Sequence, residues 1–177
     1  MVLLIIDTQS AIVTPALHNF DRFVDSVQQL ISAARRSGTE VVFVRHDDGY
    51  PPLTPGHPGF EIDARFHPAE GERIFDKRVN SAFCGTGLLE YLREKSEDTV
   101  IVAGLQTDYC IDATVKAGFE HGLCVIVPAQ SNSTFDNDFM SAEASYHYHN
   151  DFMWKGRYAQ CLPLAEVLDM LVPKEAP

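Results

Sequence analysis

The chain has 177 residues, 45% of them apolar, and a formal net charge of −11, which fits one globular domain able to bury a core. That acidity excludes a nucleic-acid binder, whose phosphate contacts need clustered Lys and Arg, and it excludes docking on an anionic membrane surface. No apolar run approaches a membrane span. Four Cys at irregular spacing make no disulfide framework, so a reducing, cytoplasmic setting is expected.

In chain order, Val2–Ile6 reads as a fully buried strand. It lacks the basic flank and cleavage site of a secretory signal, and Asp7 interrupts it. From Phe20 to about Arg36, Phe23, Val27, Leu30, Ile31 and Ala34 recur at helical spacing, and Gly38 stops the helix. Val41–Val44 is a second buried strand. Asp47 to about Pro68 is rich in Pro and Gly without a period, which marks a long functional loop. Arg73–Asp76 is a short strand leading to Lys77, and Gly87 to about Lys95 is a helix with Leu88, Leu89 and Leu92 inward. Val100–Ala103 is a third buried strand ending at Gly104. Asp108–His121 is a helix closed by Gly122, and Leu123–Val127 is another strand. A helix is expected from Asn137 to about His149, a weak edge strand near Arg157–Cys161, and a short last helix over Leu164–Leu171. There is no repeat or linker. The alternation predicts one α/β domain over 1–177, a three-layer α/β/α sandwich around a doubly wound, mostly parallel six-stranded sheet of Rossmann-like form.

Such sheets bind ligands at the carboxyl ends of strands, where the strand order reverses. Asp7 directly follows the first strand and Lys77 follows the Arg73–Asp76 strand. Taken singly, one reads as a strand-end carboxylate and the other as a surface lysine. Cys110 says more. The run from Val100 to Thr114 reads strand, tight turn, helix, and Thr107 or Asp108 can cap that helix. Cys110 then falls in its first turn, where free N–H groups and the helix dipole lower a thiol pKa and can hold an oxyanion. Cys84, Cys124 and Cys161 read as structural cysteines.

These residues resemble a known family. Leu4-Ile-Ile-Asp7-Thr-Gln9, Lys77-Arg-Val-Asn-Ser-Ala-Phe83, Val102 to Cys110, and the helix through Thr114, Ala117 and Gly122 together resemble the isochorismatase-like cysteine hydrolases. Weaker echoes are Pro55–Ile62 and Ser133–Asp136. The resemblance implies a catalytic triad of Asp7, Lys77 and Cys110, with Asp7 as proton carrier, Lys77 as fixed charge and Cys110 as nucleophile on an amide or ureido C–N bond. It implies an oxyanion hole from the Gln106 and Cys110 backbone N–H groups, and a cis peptide bond at Leu105–Gln106. It also implies a homodimer or homotetramer. Nicotinamidases of this family bind a metal through Asp-x-His after the second strand. This chain has Arg45-His46-Asp47-Asp48 there, with His57 and His67 downstream. The order differs, so these residues read as loop or hydrogen-bonding groups, and neither metal nor cofactor is expected. True isochorismatases cleave a vinyl ether and lack the cysteine, so Cys110 points to amide chemistry.

Phe60, Phe83, Tyr109, Gln106 and Trp154 are the candidate substrate contacts, an aromatic wall suited to a small planar or apolar molecule. For Trp154, with Phe152 and Met153, a subunit contact is an equal reading. Asn80 is a further polar candidate. Two other functions stay open on the sequence: a hydrolase of the same scaffold acting on an ester or vinyl ether, and a non-catalytic redox-responsive protein in which Cys110 is an oxidisable thiol.

Overall fold

Strands buried on both faces read as unbroken apolar runs, and those runs form the middle of one sheet. In the computed structural model, which describes residues 1–172, the strands are β1 (Val2–Ile6), β2 (Glu40–His46), β3 (Arg73–Lys77), β4 (Thr99–Leu105), β5 (Cys124–Pro128), β6 (Asn132–Ser133) and β7 (Gln160–Leu162). The helices are α1 (Phe20–Ser37), α2 (Leu88–Glu94), α3 (Asp112–Glu120), α4 (Ala142–His147) and α5 (Leu164–Met170). Six strands lie side by side in the order β3-β2-β1-β4-β5-β7, and β6 pairs with β4 beyond the end of β5. Every pairing is parallel. The chain steps outward from β1 to β3, then returns to the other side of β1 with β4, so the order reverses between β1 and β4. No helix among the described residues is long and apolar enough to cross a membrane.

The two-residue period of a strand divides the core between the two faces. Leu3, Ile5, Val41, Phe43, Ile101 and Ala103 pack against Phe23, Val27 and Leu30 of α1 and Val167 of α5. Leu4, Ile6, Val42, Val44, Val100 and Val102 pack on the opposite face against Leu88 and Leu92 of α2 and Val115 of α3. Where β1 and β4 meet, Gly104 has φ +127°, and a Cβ there would lie 2.0 Å from the Ile6 carbonyl oxygen. Only glycine lets these two strand ends approach so closely.

Four expectations need correction. The helix expected over Asp108–His121 begins as a π-helical turn, Thr107–Ile111, before α3. Neither Thr107 nor Asp108 caps it. Gln106 takes that place without a side-chain cap, because the Thr107 hydroxyl donates to Asn132 and the Asp108 carboxylate accepts from Thr134. The helix expected from Asn137 starts only at Ala142, capped by Ser141, because the Asn137 side chain accepts from the N–H groups of Phe139 and Met140 and holds a turn. It then continues as a second π-helical stretch, Tyr148–Met153. The edge strand, Gln160–Leu162, begins three residues later than expected, because Arg157 and Tyr158 turn back to donate to the Trp154 carbonyl. β6, too short to show an apolar pattern, makes the sheet seven-stranded.

Candidate active site

Each strand beside the reversal delivers one side chain to the same point. Asp7, directly after β1, adopts φ 51°, a left-handed backbone that a side chain normally avoids. Its N–H donates to the Val44 carbonyl at 2.8 Å. β2 ends at His46 and β3 at Lys77. The turn after β4, with its cis Leu105–Gln106 bond, leads into the π-helical turn that carries Cys110. The Gln106 carbonyl accepts from the N–H groups of Tyr109 and Ile111, each at 3.1 Å, which fixes Cys110 over the strand ends.

The Lys77 ammonium is the centre of the cluster. It is buried, and its Nζ lies 2.8 Å from Asp7 Oδ2, 2.8 Å from His46 Nδ1 and 3.1 Å from Cys110 Sγ. An ammonium has three N–H donors, and three acceptors surround it. Lys77 donates, so His46 Nδ1 accepts, and the ring carries its proton on Nε2, which faces Asp48 Oδ1 at 3.0 Å. The Gln9 side chain locks the end of β2. It accepts from the His46 N–H and donates to the carbonyls of His46 and Phe60. Asp7 Oδ1 is buried without a hydrogen-bond partner, a costly state for a carboxylate oxygen. It is the free atom on which a proton can land.

Burial pushes the Asp7 carboxyl above its ordinary value of 3.8, against the pull of the Lys77 ammonium. Burial, and then the Asp7 charge, push the Cys110 thiol up to about 12, again opposed by Lys77. This corrects the expectation of a thiol acidified by its helix start. The dipole acts at the surface of the turn, whereas desolvation and a neighbouring carboxylate act on the sulfur itself. At rest the thiol keeps its proton, and a base in contact must remove it.

A cavity of about 210 Å³ opens over the cluster. Ile12 and Leu53 give it apolar walls, and Asn80, Gln106, Tyr109 and Asp48 line it beside Asp7, His46 and Cys110. Asn80 Oδ1 lies 3.7 Å from the sulfur. Gln106 and Tyr109 therefore stand where the sequence suggested, and the other three aromatics do not. Phe60 is buried under the Arg45 guanidinium, 4.3 Å from its ring. Phe83 is core, edge-on to His121. Trp154 is wholly buried, its indole N–H donating to Asp112 at 2.8 Å, which also removes it as a subunit contact. Phe83 and Trp154 anchor α3 rather than the cavity.

Among the described residues, the one group with the spacing of a metal site is Asp7, His46 and Cys110, whose ligand atoms lie within 4.8 Å of one another. Lys77 hydrogen-bonds to all three, so a cation of the protein's own already holds that position. His57 is occupied as the cap of a short turn, its Nδ1 accepting from the Gly59 N–H, and His67 lies among the residues packed near Arg35. These residues do not fit a metal centre. Ile12 and Leu53 are the site residues that the sequence reading passed over, while His46 and Asp48 are the hydrogen-bonding groups it took them for. The pairing of His46 with Lys77 is visible only in three dimensions.

The profile of the Isochorismatase domain matches residues 1–150. Streptothricin hydrolase of Streptomyces noursei is 30% identical over 138 residues, 76% of this chain and 54% of that protein. The chain thus spans about half the length of that relative. Maleamate amidohydrolase of Pseudomonas putida (strain KT2440) is 30% identical over 145 residues, covering 71% of this chain and 68% of that protein. The crystal structure of an isochorismatase-family protein from Chromobacterium violaceum superposes with a TM-score of 0.89 at 30% identity, covering 96% of this chain and 92% of that one.

Proposed function

The chain belongs to the isochorismatase family, and from that premise we propose that it is a cysteine-dependent hydrolase cleaving the C–N bond of a small amide through a thioester on Cys110. One observation carries the reading: the Lys77 ammonium touches both Asp7 and Cys110, while Asp7 Oδ1 stays unpaired. Names of relatives such as maleamate amidohydrolase and N-carbamoylsarcosine amidase support amide chemistry.

The steps follow from the contacts. Asp7 takes the thiol proton, and Lys77 holds the nascent thiolate at hydrogen-bond distance. Sulfur attacks the carbonyl carbon, and the carbonyl π pair moves to oxygen, where the Gln106 and Cys110 N–H groups receive it. The intermediate collapses, the C–N bond breaks, and Asp7 passes its proton to the leaving nitrogen. Asp7, again a carboxylate, then deprotonates a water that attacks the thioester carbonyl. The acid leaves, and the sulfur recovers its proton from Asp7. A raised Asp7 pKa suits a group that gains and loses a proton twice, first the thiol's and then one from water.

A redox-responsive role is disfavoured by the same geometry. A sensor thiol is exposed and acidic, whereas Cys110 is buried and its thiol is pushed up to about 12. The test is ammonia release from a panel of small primary amides, with intact-mass detection of an acyl adduct after acid quench. Cys110→Ala should lower kcat at least about a thousandfold and abolish the adduct. Turnover that survives the substitution would sink the nucleophile assignment.

A further inference from the structure

The charges facing the cavity do not cancel. Asp7 and Lys77 form a buried pair 2.8 Å apart, and the protonated Cys110 thiol is neutral. The His46 ring bridges the pair to Asp48, its Nδ1 accepting from Lys77 and its Nε2 facing Asp48 Oδ1 at 3.0 Å. The Asp48 carboxylate is partly open to the cavity, with its side chain 33% exposed. Asn80 and Gln106 are neutral. The nearby cations are committed elsewhere. All three Lys77 donors are taken. Arg78 points outward, 80% exposed, and pairs with Asp47. Arg45 pairs with Asp76 and Glu61. Among the described residues that line the cavity, none offers a free positive charge.

We infer that this site takes uncharged or cationic amides and rejects amides that carry a carboxylate close to the scissile bond, with Asp48 as the selecting charge and His46 holding it in place. The proposal rests on the amide reading for its substrate, but its first test does not. A second unit negative charge several ångströms from Asp48 meets a repulsion of roughly tenfold in apparent rate at an effective dielectric between those of protein and water. A cation close to Asp48 gains by a similar factor.

The experiment measures alkylation of Cys110, followed by mass spectrometry of its peptide. Neutral iodoacetamide is compared with anionic iodoacetate, each rate divided by that of the same reagent with 2-mercaptoethanol. The expected result is a normalised preference of roughly tenfold for iodoacetamide, shrinking as salt is raised. Asp48→Asn should bring the ratio close to one, and Asp48→Glu should keep it. Equal normalised rates in the unaltered protein, or a preference that Asp48→Asn leaves intact, would overturn the proposal. If Asp48→Asn does not fold, the salt series on the unaltered protein decides the matter. A second arm compares kcat/KM for glycinamide, propionamide and malonamate, with malonamate expected to be the poorest. Absence of turnover on all three would remove the amide reading, while the alkylation ratio still judges the charge preference.

Discussion

Replacing Lys77 by Met would remove the one cation of the cluster and leave a similar volume of methylene behind. Three acceptors then lose their donor: Asp7 Oδ2, His46 Nδ1 and Cys110 Sγ. Asp7 is buried, and stripping one partner from a buried ion pair costs about 3–5 kcal/mol. For a chain of this length that is about 6–20 °C in Tm. The pH dependence adds a sharper signature. Without Lys77, burial raises the folded-state pKa of Asp7 further above 3.8. A raised folded pKa means that the fold is strongest below the unfolded value and weakens as pH climbs toward the folded one. The deficit should therefore be smallest in acid and grow upward from about pH 4. Thermal melts of both proteins at several pH values read this directly. Asp7→Asn in the Lys77→Met background removes the stranded charge and should recover at least half of the loss. The reasoning fails if Lys77→Met melts within about 2 °C of the parent, if acid does not narrow the gap, or if the double variant is no more stable than the single one.

The same raised carboxyl predicts the acid limb of activity. In the proposed mechanism Asp7 must be ionised to take the thiol proton, so kcat/KM should fall as pH drops through a value above 3.8; a profile that stays flat down to pH 4 would contradict it. Gly104→Ala places a methyl 2.0 Å from the Ile6 carbonyl oxygen and should cost upward of about 4 kcal/mol, read as a large drop in Tm or loss of soluble protein. Near-parental melting would mean that β1 and β4 can part without penalty.

The sheet was legible because its central strands are apolar through their middles; Asp7 stood out just beyond β1 and Cys110 in the turn after β4, whereas Lys77, which read singly as a surface lysine, entered only through the family resemblance. What the sequence could not carry was environment. The helix-start argument for Cys110 is local, and the effects that raise its pKa come from burial and from Asp7, which is 103 positions away in sequence. Likewise His46-Asp47-Asp48 looked like a scrambled metal pair until Lys77, from the next strand, gave His46 its tautomer. Phe83 lies six residues from Lys77, yet it faces α3, because nearness in sequence says little about direction after a strand ends. Asn137 hid a turn inside a helical pattern, since its side chain competes for backbone N–H groups at no cost in hydrophobic period.

The strand order also dictates when this chemistry can exist. β1, β2 and β3 leave the ribosome first and can bring Asp7, His46 and Lys77 together along one edge. The sulfur comes only with the segment after β4, which must find β1 on its far side. Until that strand docks, a nascent chain holds a carboxylate and an ammonium with nothing to activate, and its newly made Cys110 has no base beside it. The proposed chemistry thus hangs on the pairing of β4 with β1, and any event that parts those two strands would separate the sulfur from Asp7.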